Sequence, residues 1–206
     1  MKVKICGLRS ADDARVVAAA GVDLAGLVLV PGSRRHLGLD DARRVRDALG
    51  DVEPVAVFRD APIEVLDAAI DALAVTWVQL HGDEPLDVVR HVAARCAVIR
   101  AVARDRIDHL DVGALAPHVA AFLVDGAEPG SGRPVDHRGI DVGRLGGRPL
   151  FVAGGLDPDN VAAVVERVRP HGVDVATGVT EGGRLSAARA AAFVEQARSA
   201  ACRRVS

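Results

Sequence analysis

The sequence is poor in aromatic side chains, with four Phe, one Trp and no Tyr. Single-stranded nucleic acid is gripped by aromatic platforms on which bases stack, and this chain has few to offer. A net charge of −2 supplies no basic field in their place, so no nucleic-acid partner is expected. Cysteine is also scarce. Cys6, Cys96 and Cys202 are too few and too scattered for a disulfide framework, and no two form a C-x-x-C pair. No apolar run reaches the ~18 residues of a membrane span. The opening Met1-Lys2-Val3-Lys4 runs into a strand pattern without a signal-peptide stretch, so a reducing cytoplasm and no membrane partner are expected. The seven His never fall at metal-ligand spacing. There is no phosphate-binding G-x-x-x-x-G-K-[ST], and Gly130-Ser131-Gly132 is too short for a dinucleotide fingerprint.

What the chain does have is Ala, Val, Leu and Ile arranged with a regular beat. Its 206 residues, 50% of them hydrophobic, suit one well-buried domain spanning residues 1–206, and no linker or shift of composition marks a second. Short β-branched runs predict strands at Val3–Cys6, Leu24–Val30, Val55–Phe58, Thr76–Leu80, Ala97–Val102, Ala120–Val124, Leu150–Ala153 and Val173–Ala176. Between them, amphipathic segments predict helices from Ser10 to Ala20, Asp41–Leu49, Pro62–Leu73, Pro85–Arg95, Ile107–Leu115, a short one near Asp141–Leu145, one opened by Asp157-Pro158 and ending near Val168, and Ser186–Ala200 with a frayed tail beyond. Eight strand-then-helix units with near-continuous apolar strands mean a parallel sheet covered by helices. An open doubly wound sheet of eight strands would leave two edges to protect, so an α/β fold closed as a single (β/α)₈ TIM barrel is favoured.

In such a barrel chemistry sits at the C-terminal ends of the strands. The first strand is unusual there. Alternation puts Val3 and Ile5 on one face and Lys4 and Cys6 on the other. The apolar pair suits the helix layer, so Lys4 and Cys6 point into the barrel, where a buried ammonium needs a carboxylate partner. Lys2 and Lys4 are the only lysines in a chain that otherwise uses Arg. Cys6 reads as a general base or nucleophile if neighbouring cations lower its pKa, or as a small buried hydrophobe. Asp125, ending strand six, reads as a general acid or a turn cap. His81 reads as a substrate-binding or proton-shuttling group or a structural one. Arg34 and Arg35 suit a carboxylate clamp or a solvated loop. Gly154-Gly155 and Gly178 follow strands seven and eight, where barrels bind phosphate through backbone N–H groups; two ordinary turns are the alternative.

Several stretches, in this order along the chain, resemble the phosphoribosylanthranilate isomerases, cofactor-free barrel enzymes of tryptophan biosynthesis. They are Lys4-Ile5-Cys6-Gly7, Gly26 to Pro31 with Ser33-Arg34-Arg35, Val78-Gln79-Leu80-His81-Gly82, Val124-Asp125, Gly130-Ser131-Gly132, Ala153-Gly154-Gly155-Leu156 with Pro158 and Asn160-Val161, and Val173-Asp174-Val175 with Gly178-Val179. The resemblance implies an Amadori rearrangement of a phosphoribosyl amine, a small-molecule phosphosugar substrate and no cofactor, in a monomer or homodimer. It implies Asp125 as general acid, Cys6 as general base, Arg35 on the anthranilate carboxylate, Lys4, His81 and Asp174 as pocket residues, and Gly154, Gly155 and Gly178 around the phosphate. The chain departs from the family pattern at Gly32, His137, Thr177, Thr180 and Arg184-Leu185. These departures keep a related isomerase of another aminoribosyl phosphate, or a non-catalytic phosphometabolite binder, as alternatives.

Overall fold

A computed structural model describes residues 1–126 and 142–203. Gly130-Ser131-Gly132, His137 and the start of the short helix expected near Asp141 lie outside the described residues. Eight parallel strands close into a barrel in chain order. They are β1 (Lys2–Cys6), β2 (Leu24–Val28), β3 (Glu53–Phe58), β4 (Trp77–Leu80), β5 (Ala97–Ala103), β6 (Ala121–Asp125), β7 (Leu150–Val152) and β8 (Gly172–Val175). The ring closes where β1 pairs with β8, setting Lys4 beside Asp174.

Strand alternation divides the apolar side chains into two layers. Val3, Ile5, Leu27, Phe58 and Leu80 face outward and pack with helix residues such as Leu66, Val165 and Phe193. Leu24, Val28, Val55, Val57, Ile99, Leu123 and Phe151 fill the barrel, with Cys6 against them. In a chain with only four Phe, the inner layer needs Gly172: a methyl group there would enter the Phe151 ring.

The helices α1 (Ala11–Ala19), α2 (Leu39–Asp47), α3 (Ile63–Leu73), α4 (Leu86–Ala93), α5 (Val112–Leu115), α6 (Val161–Val168) and α7 (Ala187–Cys202) cover the ring. Ser10 caps α1 by accepting the Asp13 N–H at 3.1 Å, as the sequence predicts. Three local expectations are corrected. The helix after β5 is broken into a 3₁₀ turn, Arg104–His109, then α5, then a second 3₁₀ turn, Ala116–His118. Gly113 weakens the helix, and Pro117 has no N–H with which to extend it. Asp157 caps a turn rather than a helix: its Oδ1 accepts the N–H groups of Asp159 and Asn160, both at 2.9 Å, and α6 begins only at Val161. The final helix does not fray at Ala200. It runs to Cys202, and Arg203 is tied to Glu166 at 2.8 Å. Among the described residues, no helix is long and apolar enough to cross a membrane.

Candidate active site

The mouth of the barrel is built from two polar groups, joined electrostatically through one buried carboxylate. The first group starts on β1. Lys4 is fully buried, and its Nζ donates to Asp174 Oδ1 at 3.0 Å. This is the carboxylate partner that an inward lysine requires, and β8 supplies it. Cys6 lies one pleat further toward the mouth, in the field of Lys4, Asp174 and Arg35. Its sulfur has space because the facing residue on β2 is Gly26, where a methyl group would stand 2.5 Å from Sγ. Arg35 crosses from the loop after β2 and lies against Gly7, whose φ of +83° only glycine adopts freely. Arg35 Nη2 then donates to Thr177 Oγ1, past the end of β8, at 3.1 Å.

Burial dominates the titration of this first group. Burial raises the Cys6 thiol, Asp174 adds to the rise, and Lys4 and Arg35 only partly oppose it. The activation of Cys6 by neighbouring cations that the sequence suggests is therefore outweighed by burial. For Lys4, burial works to lower the pKa, but Asp174 and Cys6 together hold it above the ordinary lysine value. Asp174 is raised by burial, with Lys4 opposing and Asp125 adding to the rise. Both shifts are upward: the lysine's is the direction expected in an attractive ion pair, and the carboxylate's is the reverse of that expectation. The attraction shows more clearly in Lys4, whose charged neighbours are anions, whereas Asp174 bears the desolvation penalty together with repulsion from Asp125.

The second group lies on β4 and β6. Gln79 is fully buried, and its Nε2 is 2.8 Å from His81 Nδ1. His81 Nε2 in turn faces Asp125 Oδ2 at 3.5 Å. Asp125 is nearly buried, and its Oδ1 accepts the Gly126 N–H at 2.7 Å. Cys6 and Asp125 line different cavities. One of about 280 Å³ holds Cys6, Arg34, Arg35 and Thr177; one of about 370 Å³ holds Asp125, His81, Arg59 and Arg106. Asp174 interacts with members of both groups.

Gly154 and Gly155 have φ of +88° and +64° and turn the chain sharply after β7. Asn160 Nδ2 ties down this turn by donating to the Gly155 carbonyl at 2.8 Å. A methyl group on Gly178 would enter the Leu156 carbonyl, so the loops after β7 and β8 touch there. Among the described residues no three His, Cys, Asp or Glu side chains group as metal ligands.

Two features escape the sequence reading. The first is a buried ion pair between Arg100 on β5 and Glu84 in the loop after β4. Glu84 also accepts the N–H groups of Asp60 and Gly82, both at 3.0 Å, and so staples three strand ends beside His81. No local pattern announces this, because Glu84 and Arg100 meet only across neighbouring strands. The second is a hairpin, β9 (Thr180–Glu181) with β10 (Arg184–Leu185), closed by Gly182-Gly183 at φ +55° and +76°. A Gly-Gly pair between two short runs is a type I′ hairpin signal and could have found it. The departures at Thr180 and Leu185 thus pair with each other in the hairpin, and Arg9 reaches across the mouth to the Gly183 carbonyl.

Comparison with known proteins agrees with this geometry. A family model described as N-(5′-phosphoribosyl)anthranilate (PRA) isomerase matches residues 3–196. The protein named N-(5′-phosphoribosyl)anthranilate isomerase from Rubrobacter xylanophilus is 37% identical over 210 residues, covering 96% of this chain and 99% of its own. The crystal structure of phosphoribosyl anthranilate isomerase from Thermus thermophilus superposes with a TM-score of 0.84 at 34% identity, covering 97% of this chain and 99% of its own. A crystal structure of a phosphoribosyl anthranilate isomerase in complex with reduced 1-(o-carboxyphenylamino)-1-deoxyribulose 5-phosphate gives 0.85 at 31%, covering 97% of this chain and 99% of its own. The (β/α)₈ barrel, the ordered strand-end motifs and these matches together place the chain in the N-(5′-phosphoribosyl)anthranilate isomerase family.

Proposed function

We propose that this chain, as a single barrel domain acting in the cytoplasm as a monomer or homodimer, isomerises N-(5-phosphoribosyl)anthranilate. The product is 1-(2-carboxyphenylamino)-1-deoxyribulose 5-phosphate, and the step serves tryptophan biosynthesis. Asp125 protonates the furanose ring oxygen, the C1′–O bond breaks, and the nitrogen lone pair forms a Schiff base. Cys6, as thiolate, removes the proton at C2′ to give an enolamine that relaxes to the ketone. One acid and one base at a common mouth suffice for this proton traffic. The observation that carries the reading is a reactive side chain on each of two strand ends, Cys6 on β1 and Asp125 on β6, both interacting with the buried Asp174.

Arg35 suits the anthranilate carboxylate, since a guanidinium forks onto a carboxylate with two N–H groups and Thr177 engages only one edge of it. His81 faces the sugar, with Lys4 and Asp174 buried beneath it as its electrostatic floor. Gly154, Gly155 and Gly178 bring the β7 and β8 loops close enough for backbone N–H groups to cradle the phosphate. The raised Cys6 thiol sets a condition: the base form is a minor population near neutrality. Purified protein added to freshly made substrate should speed the loss of anthranilate fluorescence beyond the spontaneous rate, without metal or nucleotide. No acceleration at high protein concentration would overturn the proposal. A substrate lacking the carboxylate should be turned over far less well; equal turnover would point to another aminoribosyl phosphate.

A further inference from the structure

Among the described residues, Gln79 is the one fully buried polar residue of the inner layer to which the proposed chemistry gives no work. It is fully buried, in register with Val57 on β3 and Ile99 on β5. Its Oε1 has no hydrogen-bond partner among the described residues. An orphaned buried carbonyl is destabilising, and a Leu or Met would fill the same space without that cost. The amide therefore has to be needed for what its other end does. Nε2 stands 2.8 Å from His81 Nδ1. Rotating the amide by half a turn would leave both N–H groups unpaired instead of the oxygen and one N–H, and an orphaned buried N–H is the rarer of the two. Nε2 is thus the donor and Nδ1 the acceptor.

We infer that Gln79 is a positioning residue that holds His81 as the neutral Nε2–H tautomer and so presents an N–H donor to Asp125. The consequence for Asp125 rests on the acid role proposed above. An imidazolium 3.5 Å from Asp125 Oδ2 would keep that carboxylate ionised and unable to give a proton. A neutral imidazole with its lone pair on Nε2 would offer nothing to the carboxylate left behind. The neutral Nε2–H form instead offers Asp125 an N–H, which holds the carboxylate once the proton has gone to the ring oxygen. With an amide N–H aimed at it, Nδ1 cannot take up a proton unless the amide turns over.

The test is nitrogen-15 NMR of histidine-labelled wild-type enzyme, with His81 assigned by the signal lost in His81→Gln. Nδ1 should resonate as the bare ring nitrogen and Nε2 as the protonated one. A wild-type spectrum with the proton on Nδ1 overturns the inference, whatever the activity of the protein. Gln79→Glu, when ionised, leaves only acceptors opposite Nδ1. It should move the ring proton there and lower kcat about 10- to 100-fold, the loss of one hydrogen bond to a charged group, with KM little changed. A swapped tautomer with wild-type kcat defeats the positioning role. A wild-type protein with no isomerase turnover defeats the proposed reaction instead, and the spectrum alone then decides the tautomer.

Discussion

The Lys4–Asp174 pair offers the sharpest test of how this barrel is held together. The two side chains are 0% and 8% exposed and meet at 3.0 Å across the seam where the first strand joins the last. Lys4→Met keeps the length of the stem and removes the charge. Asp174 is then a buried carboxylate that has lost its cation and still feels the repulsion of Asp125. Breaking a buried pair from one side costs about 3–5 kcal/mol, a large part of a domain's stability. Replacing both partners, as Lys4→Met with Asp174→Leu, removes the desolvation penalty along with the attraction and should return the barrel to near wild-type stability, or above it. Urea unfolding at pH 7 is the assay, read as the midpoint at constant m-value. Because the folded lysine pKa is raised, its contribution is fully present below the unfolded value of about 10.4 and is lost only as pH rises through the folded one. At pH 7 it is therefore measured in full. A single variant costing less than about 1 kcal/mol, or a double variant as weak as the two singles summed, would refute the reasoning. Turnover should not recover in the double variant, since the cation opposing the rise of the Cys6 thiol is gone in both.

Cys6→Ser and Asp125→Asn should each lower turnover by about 100-fold or more, as expected for a lost base or acid; near-full activity of either would remove it from its role. Because burial raises the Cys6 thiol, the rate should climb with pH to a midpoint above the ordinary thiol value, and a rate flat across that range would mean another group is the base. Gly26→Ala should push Cys6 Sγ aside, costing about 1–3 kcal/mol of stability and a larger share of kcat than of substrate affinity; unchanged kinetics would show that the sulfur's position is not critical. At the opposite end of the barrel, Asp23 accepts the Val3 N–H at 2.8 Å and pairs with Lys2 and Arg198. Burial works to raise its pKa, but these donors lower it overall, so its stabilisation is present above the unfolded value and lost as pH falls through the folded one. Asp23→Asn should therefore lower the melting temperature at pH 7 and match wild type in strong acid, without altering kcat; a deficit that persists in acid would contradict the linkage.

Much of this molecule was legible one residue at a time. Alternation alone sent Val3 and Ile5 to the helices and Lys4 and Cys6 into the barrel, because side-chain direction in a strand is fixed by local geometry. Eight strand–helix beats determined the parallel sheet, and the absence of anything to protect two edges determined its closure. Ser10 announced its helix because capping involves only neighbours in the chain. The tertiary structure decided everything that depends on which distant residues meet. Asp174 became the partner of Lys4 across 170 residues only because the ring closes with that register. Glu84 and Arg100 found one another for the same kind of reason. The protonation of Cys6 was likewise beyond the sequence. A lysine two residues away suggests a thiolate, but the depth of the site makes desolvation the larger effect, and depth is a property of the closed barrel.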